Sequence, residues 1–292
     1  MSSENPFSIC PLNRDQWPVA KIGNFSWSAK HLEYFELDDD GDLQCFSDVT
    51  CEPTNVKKLT TLWSCLAKVT FLRIGGGLRN VLAETTFVHL FNSTDPIFHF
   101  SAKSYRGKPY YSRVRIEIVE SYCVDFSDPK NLLIEGPEDA AHFEIGGVEL
   151  YLSKKVLGFH SHFFYALFNS DFKEKAEDFY VLKDIRFKGI LPFLAIIHSL
   201  DVTIDKTSYH SLIYLGDYFQ CKLVLHLCED FLLKDGVIPL LKKIRAASRF
   251  RLNRTLLAWI PEVTKEQWET IREKEWLSDF ARNSFKEVMN FI

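Results

Sequence analysis

Several clusters along this chain carry residue types that can do chemistry, and the spacing of each can be held against what that chemistry needs. Glu36-Leu-Asp38-Asp39-Asp40-Gly41-Asp42 is dense in oxygen ligands, but the twelfth position counted from Glu36 is Ser47, where a calcium loop needs a bidentate Glu. It reads as a solvated acidic turn. His160 and His162, with Cys221, His226 and Cys228 further on, are zinc-type ligands. Zinc needs four of them converging at about 2.0–2.3 Å, and no Cys-x-x-Cys pair is present to begin the set. Ser161 stands between two histidines but lacks the Gly-x-Ser-x-Gly elbow that presents a nucleophile, so a helix cap is the simpler role. Arg73-Ile-Gly75-Gly76-Gly77 has neither the Gly-x-Gly-x-x-Gly spacing nor the Lys-Ser/Thr end of a phosphate loop and reads as a strand connection. The basic run Lys242-Lys243 with Arg245, Arg249, Arg251 and Arg254 belongs to a chain of formal net charge -4 and reads as a solvated helix face. No clustered acid–base constellation emerges, so the expectation is a non-enzymatic chain with no catalytic residues, metal or cofactor, and no nucleic-acid partner.

The elements that position these residues follow from composition and periodicity. A chain of 292 residues fits two or three compact domains, and 25 phenylalanines supply ample aromatic surface for cores or interfaces. Met1 to Cys10 has no apolar stretch of the secretory kind. The longest apolar run, Ile190 to Leu200, is broken by Pro192, His198 and Ser199, so no membrane span is expected. Seven scattered cysteines then read as free buried thiols in the cytoplasm and/or nucleus.

Residues 1–135 carry short apolar runs between turn residues, as in Val19–Phe25, Trp63–Phe71 and Ile97–Phe100. Val114, Ile116 and Ile118 alternate as one face of a half-buried strand, and the whole suggests an antiparallel sandwich. Asp125–Asn131 and Glu135–Asp139 are polar, carry Gly and Pro, and read as an interdomain crossing. Phe143-Glu-Ile145, Gly146-Gly147 and Val148–Leu152 then read as a β-hairpin, the glycines supplying the positive φ of a tight turn. Beyond it the spacing is helical: Phe163, Phe164, Leu167 and Phe168 form a buried stripe with Ser161 as N-cap, and Phe179–Leu182 is a short strand. Ile190–Leu200 is an apolar helix that tolerates Pro192 only near its first turn, and further helical stripes run to Val288.

The string Phe143-Glu-Ile-Gly-Gly-Val-Glu-Leu-Tyr-Leu-Ser-Lys-Lys-Val-Leu157, followed by Gly-Phe-His160-Ser161-His-Phe163-Phe164, resembles the signature of the BTB/POZ family. The likeness continues through Leu167–Glu174, Leu182-Lys-Asp184 and Leu212–Phe219, and ends on Cys228-Glu-Asp-Phe-Leu232. In that pattern His160 is a structural helix-start residue. Leu240–Leu252 is similar to the helical (BACK-like) extension that follows such domains, and the resemblance is nearest to the divergent BTB proteins expanded in nematodes. Ile22-Gly-Asn-Phe-Ser-Trp27 looks like the opening of a MATH (TRAF-like) sandwich, whose first strand often ends in Asn-Phe-Ser, and Val114–Ile118 looks like its last strand. The expected fold is therefore an α+β multidomain chain. It has a MATH-like β-sandwich at 1–135, an α/β BTB/POZ fold at 140–235 and a helical extension at 236–292.

The resemblance implies an adaptor, with a protein substrate held by the N-terminal domain and a cullin scaffold of a ubiquitin ligase docked on the BTB part. The alternative within the family is a scaffold or transcriptional co-regulator with no ligase role. Cullin-binding members carry a hydrophobic-x-Glu motif, and Phe172-Lys173-Glu174 occupies its place. A bland reading, Phe172 tucked against its own domain, stays open beside it. The family also implies a homodimer, with Val156, Leu157 and Phe159 as candidate interface residues that could equally be core.

Overall fold

The computed structural model describes residues 7–9, 19–37, 43–54, 59–74, 81–93, 95–103, 111–170, 178–200 and 203–290. The chain separates into two compact units, Met1–Leu132 and Leu133–Ile292. The division falls inside the polar crossing that the sequence marks.

The first unit consists of strands β1 (Phe7–Ile9), β2 (Ala20–Ile22), β3 (Phe25–Leu37), β4 (Leu43–Pro53), β5 (Thr61–Ile74), β6 (Val81–Asn92), β7 (Ile97–Lys103) and β8 (Tyr111–Asp125). They form two four-stranded sheets, in the orders β1-β8-β5-β6 and β2-β3-β4-β7, with every pair antiparallel. Alternation makes the core. Cys65, Ala67, Val69 and Phe71 point inward from β5, and Phe25, Trp27 and Ala29 from β3. Trp27 meets Phe91 edge-on across the sheets at 5.0 Å, and Phe71 stacks on Phe100 at 4.0 Å. Val114 and Ile116 are buried, whereas the alternation stops after Ile118. There Leu66 pairs with Glu120 and Ala67 with Ile118, leaving Val119 as the extra residue of a β-bulge, 51% exposed. One expectation is corrected. Asn24-Phe25-Ser26 does not end a strand: Gly23 and Asn24 form the turn between β2 and β3, with Gly23 at φ +56, so Phe25 and Ser26 open β3. The acidic segment at 38–42 and the glycines at 75–77 lie outside the described residues.

The second unit opens with the expected hairpin. β9 (Ala140–Ile145) and β10 (Val148–Ser153) are closed by Gly146 at φ +59 and Gly147 at φ +79, the two positive values that a type I′ turn requires. β11 (Phe179–Leu182) adds to the other side of β9 in parallel. Helices α1 (Lys154–His160), α2 (His162–Asn169), α3 (Ile190–Ile197), α4 (Tyr209–Tyr218) and α5 (Lys222–Lys234) follow. α6 (Leu240–Arg249), α7 (Asn253–Trp259), α8 (Lys265–Ile271) and α9 (Asp279–Asn290) extend them. Pro192 is the third residue of α3, where its missing N–H has no helical partner to lose. That helix stops at Ile197 rather than running to Leu200. Ser199 takes φ +56, and the N–H groups of Ser199 and Leu200 turn back to the carbonyls of Ile196 and Ala195. The terminal stretch is two helices. Thr264 and Gln267 form a capping box that starts α8, and Trp268 stacks on Phe285 of α9 at 4.6 Å.

Candidate functional site

The second unit's chemistry is organised by a corner where hairpin and first helix meet. Asp139, 6% exposed, accepts hydrogen bonds from the N–H of Lys155 at 2.9 Å, the N–H of Glu135 at 3.2 Å and the hydroxyl of Ser153 at 3.1 Å. Burial alone would push its carboxyl up, but these donors together hold it below its ordinary value. Ser153 in turn caps α1 through the Val156 N–H. Sequence reasoning treats Asp139 only as part of a crossing. The signal that could have found it is an Asp just before a strand whose partner strand ends in Ser.

Ser161 is the cap the sequence assigns, and it does more. Its oxygen accepts from the Phe164 N–H at 3.2 Å, and its hydroxyl donates to the Phe219 carbonyl at the end of α4. One buried side chain thus starts α2 and ties it to a helix end far along the chain. His160 and His162 flank it without a metal set: among the described residues no three His, Cys, Asp or Glu groups could hold an ion together. Cys221 and Cys228 are buried free thiols, and burial raises both, Cys228 to about 12.

The three candidate dimer residues separate on α1. Leu157, 1% exposed, is taken up by the core and offers no surface. Val156 is half-buried, and Phe159 is 85% exposed with its ring edge against His160 at 4.9 Å. Val156 and Phe159 border a cleft of about 420 Å³ shared with Ile197 and His198. Burial, reinforced by the neighbouring His160, pushes His198 down to about 4. Unfolded, that imidazole titrates near 6.5. Between those values the unfolded chain binds a proton that the folded one refuses, so this stability is complete above the unfolded value and is lost as pH falls from there towards the folded one. Denaturation midpoints of the wild type are therefore expected to fall across that window, and His198→Gln to flatten the decline. Superimposable acid limbs would remove His198 from the account. Phe172 and Glu174, the candidate cullin contacts, lie outside the described residues.

The basic stretch is not one solvated face. Lys243 is 3% exposed, donates to the Asp235 carbonyl and sits 4.1 Å from the centre of the Trp259 ring. Arg254 pairs with Asp230 at 3.0 Å and approaches Glu229 at 3.8 Å. Lys242, Arg245 and Arg249 remain exposed. Glu229, also missed by sequence reasoning as a structural group, is 3% exposed and accepts from the Thr255 N–H at 3.0 Å.

Residues 141–236 match the model of the BTB/POZ domain. The chain is similar to three curated proteins of Caenorhabditis elegans. It is 28% identical to BTB and MATH domain-containing protein 36 over 130 residues, 44% of this chain and 41% of that relative. It is 22% identical to BTB and MATH domain-containing protein 38 over 255 residues, 80% of this chain and 63% of the relative. With BTB and MATH domain-containing protein 45 it shares 31% identity over 90 residues, 31% of this chain and 19% of the relative. The matches therefore span less than two thirds of each relative's length. These findings support a nematode-type BTB/POZ region preceded by a MATH-like one, carried on an α+β multidomain fold.

Proposed function

We propose that this BTB/POZ-bearing chain is a non-enzymatic interaction adaptor and acts as a substrate-recognition subunit of a cullin-RING ubiquitin ligase. In this reading residues 140–235 engage the cullin scaffold, the MATH-like residues 1–135 take a protein substrate, and residues 236–292 are a helical extension, the whole working in the cytoplasm or nucleus. The observation that carries the reading is the BTB/POZ match at 141–236 on a unit with the Gly-Gly hairpin and the Ser161-capped helix. The names of the nematode relatives support pairing it with a MATH-like domain. No described helix is long and apolar enough to cross a membrane.

Phe172 and Glu174 are the proposed cullin contacts, the ring as an anchor worth about 2 kcal/mol or more and the carboxylate as its orienting partner. Phe159 and Val156 are the proposed homodimer contacts, since an aromatic ring 85% in water gains most by being covered. A dimer would let two weak substrate contacts act together through effective concentration. One experiment reads both proposals: size-exclusion chromatography with light scattering of the chain mixed with a purified cullin N-terminal domain. A two-to-two complex is expected, and Phe172→Ala with Glu174→Ala should weaken it at least ten-fold. A complex indifferent to that double substitution refutes the contacts. No complex at all favours the scaffold or co-regulator reading.

A further inference from the structure

The second unit holds a groove of about 1140 Å³ between two walls. One wall is the segment around Arg186 with α4, and the other is α6 with the turn that leads into it. Five cationic side chains line it, Arg186, Lys206, Lys242, Arg245 and Arg249, against a single carboxylate, Asp184. All five are exposed. Lys206 feels the nearby Asp235, whose carboxylate already accepts from the N–H groups of Val237 and Ile238. The other four have no carboxylate partner among the described residues, although Arg245 and Arg249 rest 6.0 and 5.3 Å from the centres of the Trp276 and Phe250 rings. This concentration of positive charge belongs to a chain of net charge -4.

Between the cations much of the lining is apolar, with Thr207, His210 and Ser211 as its polar members. Ile213 is buried, Ile238 half-buried, Tyr214 42% exposed and Val237 70% exposed. Cations facing one another across low-dielectric walls focus a field that draws in anions. An apolar lining rewards apolar side chains by about 25 cal/mol for each Å² removed from water. A free phosphate would use the first feature and waste the second. Single-stranded nucleic acid would want a row of exposed aromatic platforms, but of the rings in the lining Tyr209 is buried and Phe250 lies against Arg249, which leaves only Tyr214 and His210 beside the aliphatic Ile213, Val237 and Ile238.

We propose that this groove binds an acidic peptide segment of a partner protein, one in which carboxylates alternate with aliphatic side chains. The site shares no residue with the cullin and dimer contacts proposed above, so it stands or falls separately. The probe is a fluorescein-labelled peptide of repeating Glu-Leu-Asp units, read by fluorescence anisotropy on the full chain. Saturable binding is expected, weakening as salt rises. Lys242→Glu with Arg245→Glu should raise Kd at least ten-fold, and so should Arg186→Glu with Lys206→Glu on the opposite wall. Lys265→Glu, on α8 and not among the lining residues, should leave it unchanged. If one pair perturbs folding, seen as a changed denaturation midpoint, the other wall's pair reads the same groove. The proposal is overturned if the peptide does not saturate, if its Gln/Asn counterpart binds equally, if neither wall's reversal matters, or if an unlabelled oligothymidine displaces it at lower concentration than the unlabelled peptide.

Discussion

Phe143→Ala should be the most damaging single truncation in the second unit, lowering its stability by about 3–5 kcal/mol. The ring lies on the central strand of the three-stranded sheet and is 0% exposed. It stacks on Tyr180 at 5.0 Å and meets Phe164 edge-on at 5.7 Å and Phe168 at 6.3 Å. Strand pairing, the parallel addition of β11 and the seating of α2 all converge on this side chain. Alanine would leave a cavity lined by three aromatic rings, which are too stiff to collapse into it. Urea denaturation of the variant should show a lower midpoint at an unchanged slope, while Phe143→Leu should lose less. A loss under about 1 kcal/mol for alanine would mean that the cluster repacks and is not the keystone described.

Glu229→Ala should cost roughly 2–3 kcal/mol, a large effect for a residue that a sequence alone would leave in solvent. Glu229 belongs to α5, and its carboxylate reaches the N-terminal turn of α7, where Thr255 is 0% exposed. Leu252, at the capping position of α7, has no side-chain oxygen to offer and makes no cap bond. The carboxylate supplies what the local sequence lacks and adds a negative charge at the positive end of the helix. Removing it strands the buried Thr255 N–H and leaves Arg254 with Asp230 alone. Glu229→Gln keeps an acceptor and should lose about half as much. Hydrogen exchange at the Thr255 amide gives an independent reading, with protection falling in the alanine variant and largely kept in the glutamine one. Equal losses for Ala and Gln would show that the charge, not the hydrogen bond, carries the effect.

The legible parts of this molecule share one property: their causes are local. Gly146-Gly147 between two alternating runs specifies a hairpin because glycine takes φ +59 and φ +79 in succession with no side chain to clash. Ser161 before an aromatic stripe specifies a helix start because its oxygen reaches an N–H three residues on. Helix ends were illegible for the complementary reason. α3, α4 and α6 each close on a left-handed residue, but those residues are Ser199, Gln220 and Arg251 rather than the glycine that would announce them. Each conformation is held by carbonyls of the preceding turn, as where Cys221 donates to Gly216 and Leu252 to Ala247.

By itself the sequence determined the alternation of the sandwich strands, the hairpin, the helix stripes and the resemblance of the middle of the chain to a BTB/POZ domain. These rest on backbone preferences and a two- or 3.6-residue periodicity that any short window contains. Only the tertiary structure decided that Leu157 is core while Phe159 faces water, and that Glu229 caps a helix 26 residues further on. It also decided that one basic stretch splits into a buried Lys243, a paired Arg254, an exposed Arg251 and three cations on the wall of a groove. A charge's role is set by which distant groups folding brings within a few ångströms of it, and no local pattern encodes that distance.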